Sequence, residues 1–247
     1  MYDFLAHRLR DAFIVFHEGG VMMIPLLLSS IVALAMGVVL ALTLRRNLIM
    51  PKDLVRRIGE IESPGDVDRT LAVCHETPSP LANVMKVALM NQNLARHENQ
   101  EAILFAGRQE ASAIGRGLLV LEIIAATSPL MGLLGTVLGI VHVFDVVSRQ
   151  EGLGHASMLS GGIKEALYTT VAGLSIAIPS LIAHSFFTKR VDDFVLDMER
   201  YSTMLLTKLY SPRMVEQLKA VKGVLPPTVA EKRMANLEEK KVAKAAS

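Results

Sequence analysis

Three stretches of this 247-residue chain run without Asp, Glu, Lys or Arg for long enough to cross a bilayer, which takes about 20 apolar residues. They are Val21–Leu44 (24 residues), Ile123–Phe144 (22 residues) and Ala166–Thr188 (23 residues). The first has mostly large aliphatic faces and is expected to meet lipid. The other two carry small and polar positions at helical spacing. In the second, Ser128, Gly132, Gly135, Gly139 and His142 recur; in the third, Ala166, Thr170, Gly173, Ala177, Ser180 and His184 do. A helix surrounded by lipid needs no such stripe, whereas a helix packed in a bundle or lining a hydrated path does.

Outside the spans the pattern is polar with a 3.6-residue period. Residues 3–17 place Leu5, Leu9, Ala12, Phe13 and Phe16 on one face, as in a short helix lying in the membrane interface. Leu81, Val84, Met85, Ala88 and Leu89 form a stripe, and no proline occurs between Leu81 and Ser128, so one unbroken helix is expected to lead into the second span. Val191, Phe194, Val195, Met198, Tyr201, Leu205 and Leu209 continue the third span in the same way, and the two continuations are expected to pair. The pattern predicts an all-α membrane protein: three transmembrane helices with long cytoplasmic helical extensions.

Charge orients it. Arg45–Gly117 carries ten Lys/Arg and Lys189–Ser247 carries twelve, against two before the first span and two between the second and third. The positive-inside rule then puts the N-terminus outside and the C-terminus inside. The expected division is a periplasmic interfacial helix at 1–20, spans at 21–44, 118–146 and 163–188, a cytoplasmic helical region at 45–117, a periplasmic loop at 147–162, a cytoplasmic helix at 189–222 and a flexible tail at 223–247.

Composition narrows the chemistry. A net charge of +2 gives no case for nucleic acid, and a lone cysteine, Cys74, excludes an internal disulfide or a cysteine-based metal cluster. No nucleophile–base pair, metal set or cofactor motif stands out, so no enzyme is expected. The stretch GLLGTVLG lacks both the GxGxxG spacing and the Walker lysine.

What remains is a short set of polar groups at the spans. Glu165 opens the third span. Two readings stand side by side: a carboxyl able to exchange a proton at a dry helix entrance, or a first-turn acid favoured by the helix dipole. Thr136 and Thr170 either hold a partner's carboxylate or water, or bond their own helix. His142 and His184 read as helix-end residues. Neither of the last two spans has an acid near mid-membrane. A complete proton path therefore needs a carboxylate from another polypeptide, and the small-residue stripes offer a place to dock it.

The block SPLMGLLGTVLGIVHVF (128–144), followed by GGIKEALYTTVAGLSIAIPSLIAHSFF (161–187), resembles the ExbB/TolQ/MotA proton-channel family. With three spans it is more similar to ExbB and TolQ than to four-span MotA. Ser128-Pro129 stands where the family often has Ala-Pro. The resemblance implies a pentamer in the bacterial inner membrane. Its pore would hold a dimer of single-span ExbD- or TolR-like subunits that supply a membrane aspartate. Proton flow would drive mechanical work on a TonB- or TolA-like envelope protein, most simply in TonB-dependent transport, with Tol-Pal or gliding motility as alternatives and a non-conducting scaffold as the rival from another class. By motif, Thr136 and Thr170 would face the partner's aspartate, Glu165 would serve the proton pathway, and Gly132, Gly135, Gly139, Ala166, Gly173 and Ala177 would be small residues facing the pore.

Overall fold

The structure, a computed structural model, describes residues 19–149 and 156–222. The expected interfacial helix and the C-terminal tail lie outside the described residues. The described residues form eight helices and no strand. They are α1 (Met23–Thr43), α2 (Arg46–Ile49), α3 (Lys52–Glu60), α4 (Pro64–Glu76), α5 (Pro80–Met90), α6 (Arg96–Arg149), α7 (Ala156–Leu209) and α8 (Pro212–Lys222). Three of them, α1, α6 and α7, are long and apolar enough to cross a membrane. Two compact units result: Ile49–Glu110 with the chain from Leu196 on, and the chain up to Leu48 with Ala111–Val195. Helices α6 and α7 contribute to both.

The first unit is built like a small water-soluble domain. Leu54, Ile58, Leu81, Met85 and Leu205 are fully covered, each such side chain stabilising by about 1.5–3 kcal/mol relative to exposure. Its short helices start on strong caps. Ser63 and Asp66 form a capping box, and Pro64 sits where its missing N–H is harmless. Asp66 accepts from the Ser63 hydroxyl at 2.7 Å and the Ser63 amide at 3.0 Å. These bonds, the hydroxyl first, hold its carboxyl below the usual range. Ser79 caps α5 by accepting from the Ala82 amide at 3.2 Å. Lys208 Nζ donates to the carbonyls of Gly59, at 2.5 Å, and Ile61, at 3.2 Å, closing the end of α3.

The unbroken helix expected from Leu81 onward is interrupted. α5 ends at Met90 and α6 begins at Arg96, with Asn91-Gln92-Asn93 in the turn. The freed carbonyls find side-chain donors. Asn99 Nδ2 donates to Ala88 O at 3.0 Å and the Tyr210 hydroxyl donates to Leu94 O at 2.9 Å. A break satisfied in this way carries no orphaned-carbonyl penalty. Cys74 is buried here, and burial pushes its thiol up to about 11.

In the second unit, α1 buries Met23, Leu26 and Leu40 and leaves Ile24, Leu28, Ile31 and Leu34 exposed, as suits a lipid-facing helix. One face carries small residues instead of the large aliphatic ones that dominate the helix. Ser30, Ala33 and Gly37 line an open groove of about 370 Å³ opposite Ser175, Pro179 and Ala183 of α7. Both α6 and α7 continue as helix through an internal proline, Pro129 and Pro179.

Candidate functional site

The two polar spans meet along their small-residue faces. On α6 the buried positions are Leu121, Ile124, Ser128, Gly132, Gly135, Gly139 and Val143; on α7 they are Gly162, Ala166, Thr169, Gly173, Ala177 and Ser180. The helices run antiparallel and almost backbone to backbone. A Cβ on Gly132 would lie 3.0 Å from Thr169 O, and one on Gly173 would lie 2.5 Å from Ser128 O. One on Gly139 would lie 2.9 Å from the Ala166 methyl. Only glycine permits that approach, which is how membrane helices gain dispersion contact without a hydrophobic driving force.

The contact carries hydroxyls. Thr170 Oγ1 donates across it to Gly132 O at 3.1 Å. Thr169, one residue earlier, is fully buried against Gly135 and donates to Ala166 O at 2.7 Å. Thr136 is half-buried and bonds its own helix, donating to Leu133 O at 2.6 Å. Ser128 Oγ is buried with no protein partner.

Glu165 stands one turn before Thr169 and is half-buried. Its carboxylate lies against Gly20, whose φ of +67° and bare Cα leave the space for it; a Cβ at Gly20 would overlap the carboxylate. Gly19, Met22, Gly139, His142, Glu165 and Thr169 enclose a cavity of about 180 Å³. At the opposite end of the contact, His184 Nε2 lies 3.9 Å from Glu122 Oε2. Among the described residues no group of three His, Cys, Asp or Glu could hold a metal ion.

The sequence candidates therefore divide. Thr170 and Glu165 sit on or beside the contact. Thr136 borders it, bonded within its own helix. Of the small residues expected on a pore wall, Gly132, Gly135, Gly139, Ala166 and Gly173 are buried between α6 and α7, and Ala177 is buried one turn further along α7. The reason is steric, since two helices this close leave no room for a lumen on that face. The buried stripes keep the expected Ser128, Gly132, Gly135 and Gly139 on α6 and Ala166, Gly173, Ala177 and Ser180 on α7. Val143 is buried in place of His142, which is exposed, and Thr169 in place of Thr170, which is half-buried. Sequence reasoning missed Thr169, Gly162 and the closeness of Glu122 to His184. EALYTT offered Thr169 and Thr170 at adjacent positions, and spacing alone did not choose between them.

Residues 76–200 match the MotA/TolQ/ExbB proton channel family. The chain belongs to this family. The match takes in all of α6 and most of α7, and so the whole contact described above. Among similar proteins, the putative biopolymer transport protein ExbB-like 1 of Synechocystis sp. is 32% identical over 177 residues, covering 71% of this chain and 68% of that protein. The biopolymer transport protein ExbB of Neisseria meningitidis serogroup A is 28% identical over 219 residues, covering 81% of this chain and 97% of that protein. The biopolymer transport protein exbB1 of Vibrio cholerae is 33% identical over 115 residues, covering 43% of this chain and 49% of that protein. For a family of proton channels, polar groups between tightly packed spans are the natural place to look for function.

Proposed function

We propose that the chain is the multi-span subunit of an inner-membrane proton channel that converts proton motive force into mechanical work on the cell envelope. The observation that carries this reading is the α6–α7 contact. Glu165 stands at one end, Thr170 crosses to Gly132 O, and no mid-membrane acid lies within either span. The missing carboxylate comes from a single-span ExbD- or TolR-like partner. Copies of this chain form a pentameric ring around a dimer of that partner, N-terminus out and C-terminus in. The lopsided Lys/Arg distribution supports the orientation.

In this mechanism a proton enters from the outer side near Glu165, neutralises the partner's aspartate beside Thr136 and Thr170, and leaves to the cytoplasm as the partner turns. The threonines hydrogen-bond the carboxylate, and the close packing of α6 on α7 keeps their backbones fixed. A buried charge is expensive in hydrocarbon, at least about 2.5–3.5 kcal/mol at the centre, so the aspartate crosses lipid-like surroundings only when protonated. That coupling of charge to position makes proton flow do work. ExbB names among the similar proteins support a channel of the TonB system, with Tol-Pal or gliding motility as the alternatives.

The test is the native mass of the detergent-purified assembly, co-expressed with a single-span partner from the same operon. Five copies of this chain with two of the partner are expected. An assembly that never retains a partner leaves the channel without its carboxylate and favours a non-conducting scaffold.

A further inference from the structure

We propose that Glu122 and His184 form the inner release group of the proton path, an imidazole–carboxylate pair bridging the two spans. The proposal rests on the proton-channel reading above and adds to it the two residues through which protons leave.

The geometry comes first. His184 Nε2 lies 3.9 Å from Glu122 Oε2, and Thr188 Oγ1 lies 3.4 Å from the same nitrogen. The two side chains differ in exposure: His184 is 22% exposed and Glu122 is 62% exposed. The pair thus runs from a covered imidazole to a carboxylate in open surroundings. An exposed pair at this distance contributes little to stability, so holding the fold together is a weak reason for an ionisable group at the end of an apolar span. Such groups in membrane helices are costly and mark ion or proton pathways by default.

The surroundings leave His184 few other partners. Glu122 faces it from α6 and Thr188 from its own helix. α1 has no Asp, Glu, Lys, Arg or His from Val21 to Leu44, and Arg45 and Arg46 follow at its inner end. The next charges on α7 are Lys189, Arg190, Asp192 and Asp193; Lys189 is bonded to Asp193 at 2.8 Å, and Arg190 lies over the Phe194 ring at 6.0 Å. Along the α6–α7 contact toward this pair stand the Thr170–Gly132 bond, the unpartnered buried Ser128 hydroxyl and Ser180. Hydroxyl groups therefore stand at intervals between Thr170 and the imidazole, each bonded to backbone or, at Ser128, without a protein partner.

Histidine suits the step because its two ring nitrogens are distinct and each can carry a proton. Nε2 faces Glu122 and Thr188. A proton taken up at Nδ1 gives the imidazolium; the proton on Nε2 then passes to the Glu122 carboxylate or to water, and the neutral ring is restored as the other tautomer. One proton enters and one leaves.

The experiment uses right-side-out membrane vesicles holding the complex of this chain with its single-span partner. Proton entry is driven by an imposed potential at fixed outer pH, and the inner pH is stepped between 8 and 6. The wild-type rate is expected to fall several-fold across that step, as a higher inner proton concentration opposes release. His184→Gln is expected to lower the rate at inner pH 8 on the order of a hundredfold, the lower end of what loss of a positioned acid–base group commonly costs, and to flatten the dependence. Glu122→Gln, at an exposed position that tolerates the change, is expected to lower the rate at inner pH 8 several-fold, and Glu122→Asp to restore it. An assembled His184→Gln complex with the wild-type rate and the wild-type inner-pH dependence overturns the proposal while leaving the channel reading intact. Wild-type vesicles that conduct no better than vesicles without the complex overturn both.

Discussion

Gly173 offers the sharpest test of the α6–α7 contact. A Cβ placed on it would lie 2.5 Å from Ser128 O, 3.1 Å from Gly132 Cα and 3.3 Å from Gly132 N. All three are backbone atoms, so no rotamer change relieves the overlap. Ordinary contacts between such atoms are about 3.5–4.0 Å, and the helices must therefore part by on the order of 1 Å at the crossing. Overpacking of this kind costs about 1–3 kcal/mol. A 2 kcal/mol loss lowers the folded-to-unfolded ratio roughly thirtyfold. The matching control is Gly161→Ala on the same helix, where a Cβ meets nothing within 4 Å. There, alanine's better helix propensity stabilises by up to about 1 kcal/mol. The two variants should move in opposite directions when the purified protein in mild detergent is titrated with SDS and followed by far-UV circular dichroism. Reasoning from the glycine contact is refuted if Gly173→Ala unfolds at the wild-type SDS fraction, or if Gly161→Ala loses as much stability as Gly173→Ala does.

Four further outcomes are expected. Thr170→Val, which deletes one inter-helix bond, should cost about 0.6 kcal/mol in the same SDS titration, the average for membrane hydrogen bonds, yet abolish proton-driven function in cells; unchanged function would remove Thr170 from the path. Gly20→Ala should alter the Glu165 environment, since a Cβ there overlaps its carboxylate, and a carboxyl-reactive carbodiimide should label Glu165 at a different rate in the variant; identical labelling contradicts that contact. Cys74, buried with its thiol raised to about 11, should resist maleimide at pH 7 until denaturant opens the domain, and immediate labelling of the folded protein would contradict its burial. Asp66 has its carboxyl held low by the Ser63 hydroxyl and backbone amides, so its stabilising effect is present above the ordinary carboxylate range and disappears as pH falls through its depressed value; thermal melts of Asp66→Asn should lie below wild type at pH 7 and approach it as the pH is lowered, and a gap that does not narrow would contradict the assignment.

Much of this fold could be read from the sequence because lipid-scale apolar runs are long and unambiguous, and because glycine recurs at helical spacing only where backbones approach. The small-residue stripes through Gly132, Gly135 and Gly139 and through Ala166 and Gly173 were legible as faces that another backbone could approach. What stayed hidden depended on distant partners. The break at 91–95 is made tolerable by Tyr210, whose hydroxyl reaches Leu94 O across more than a hundred residues of chain. That Thr169 rather than Thr170 is the buried one of the pair was beyond spacing alone, because 3- and 4-residue steps fit either. The assignment of the glycines to a pore wall failed to separate packing within a chain from exposure to a partner; small residues serve both, and only the position of the facing helix decides. Glu122 and His184 lie far apart in sequence, and their approach follows from the antiparallel register that Gly132, Gly135 and Gly173 impose.

Proton flux through the purified complex tests the central claim most directly. The chain and its single-span partner are reconstituted together in liposomes carrying a pH-sensitive dye, and a membrane potential is imposed. The account predicts proton entry above that of protein-free liposomes, abolished when the partner is left out and reduced by Thr170→Val. A fully assembled complex of five and two subunits that admits protons no faster than bare lipid would contradict it.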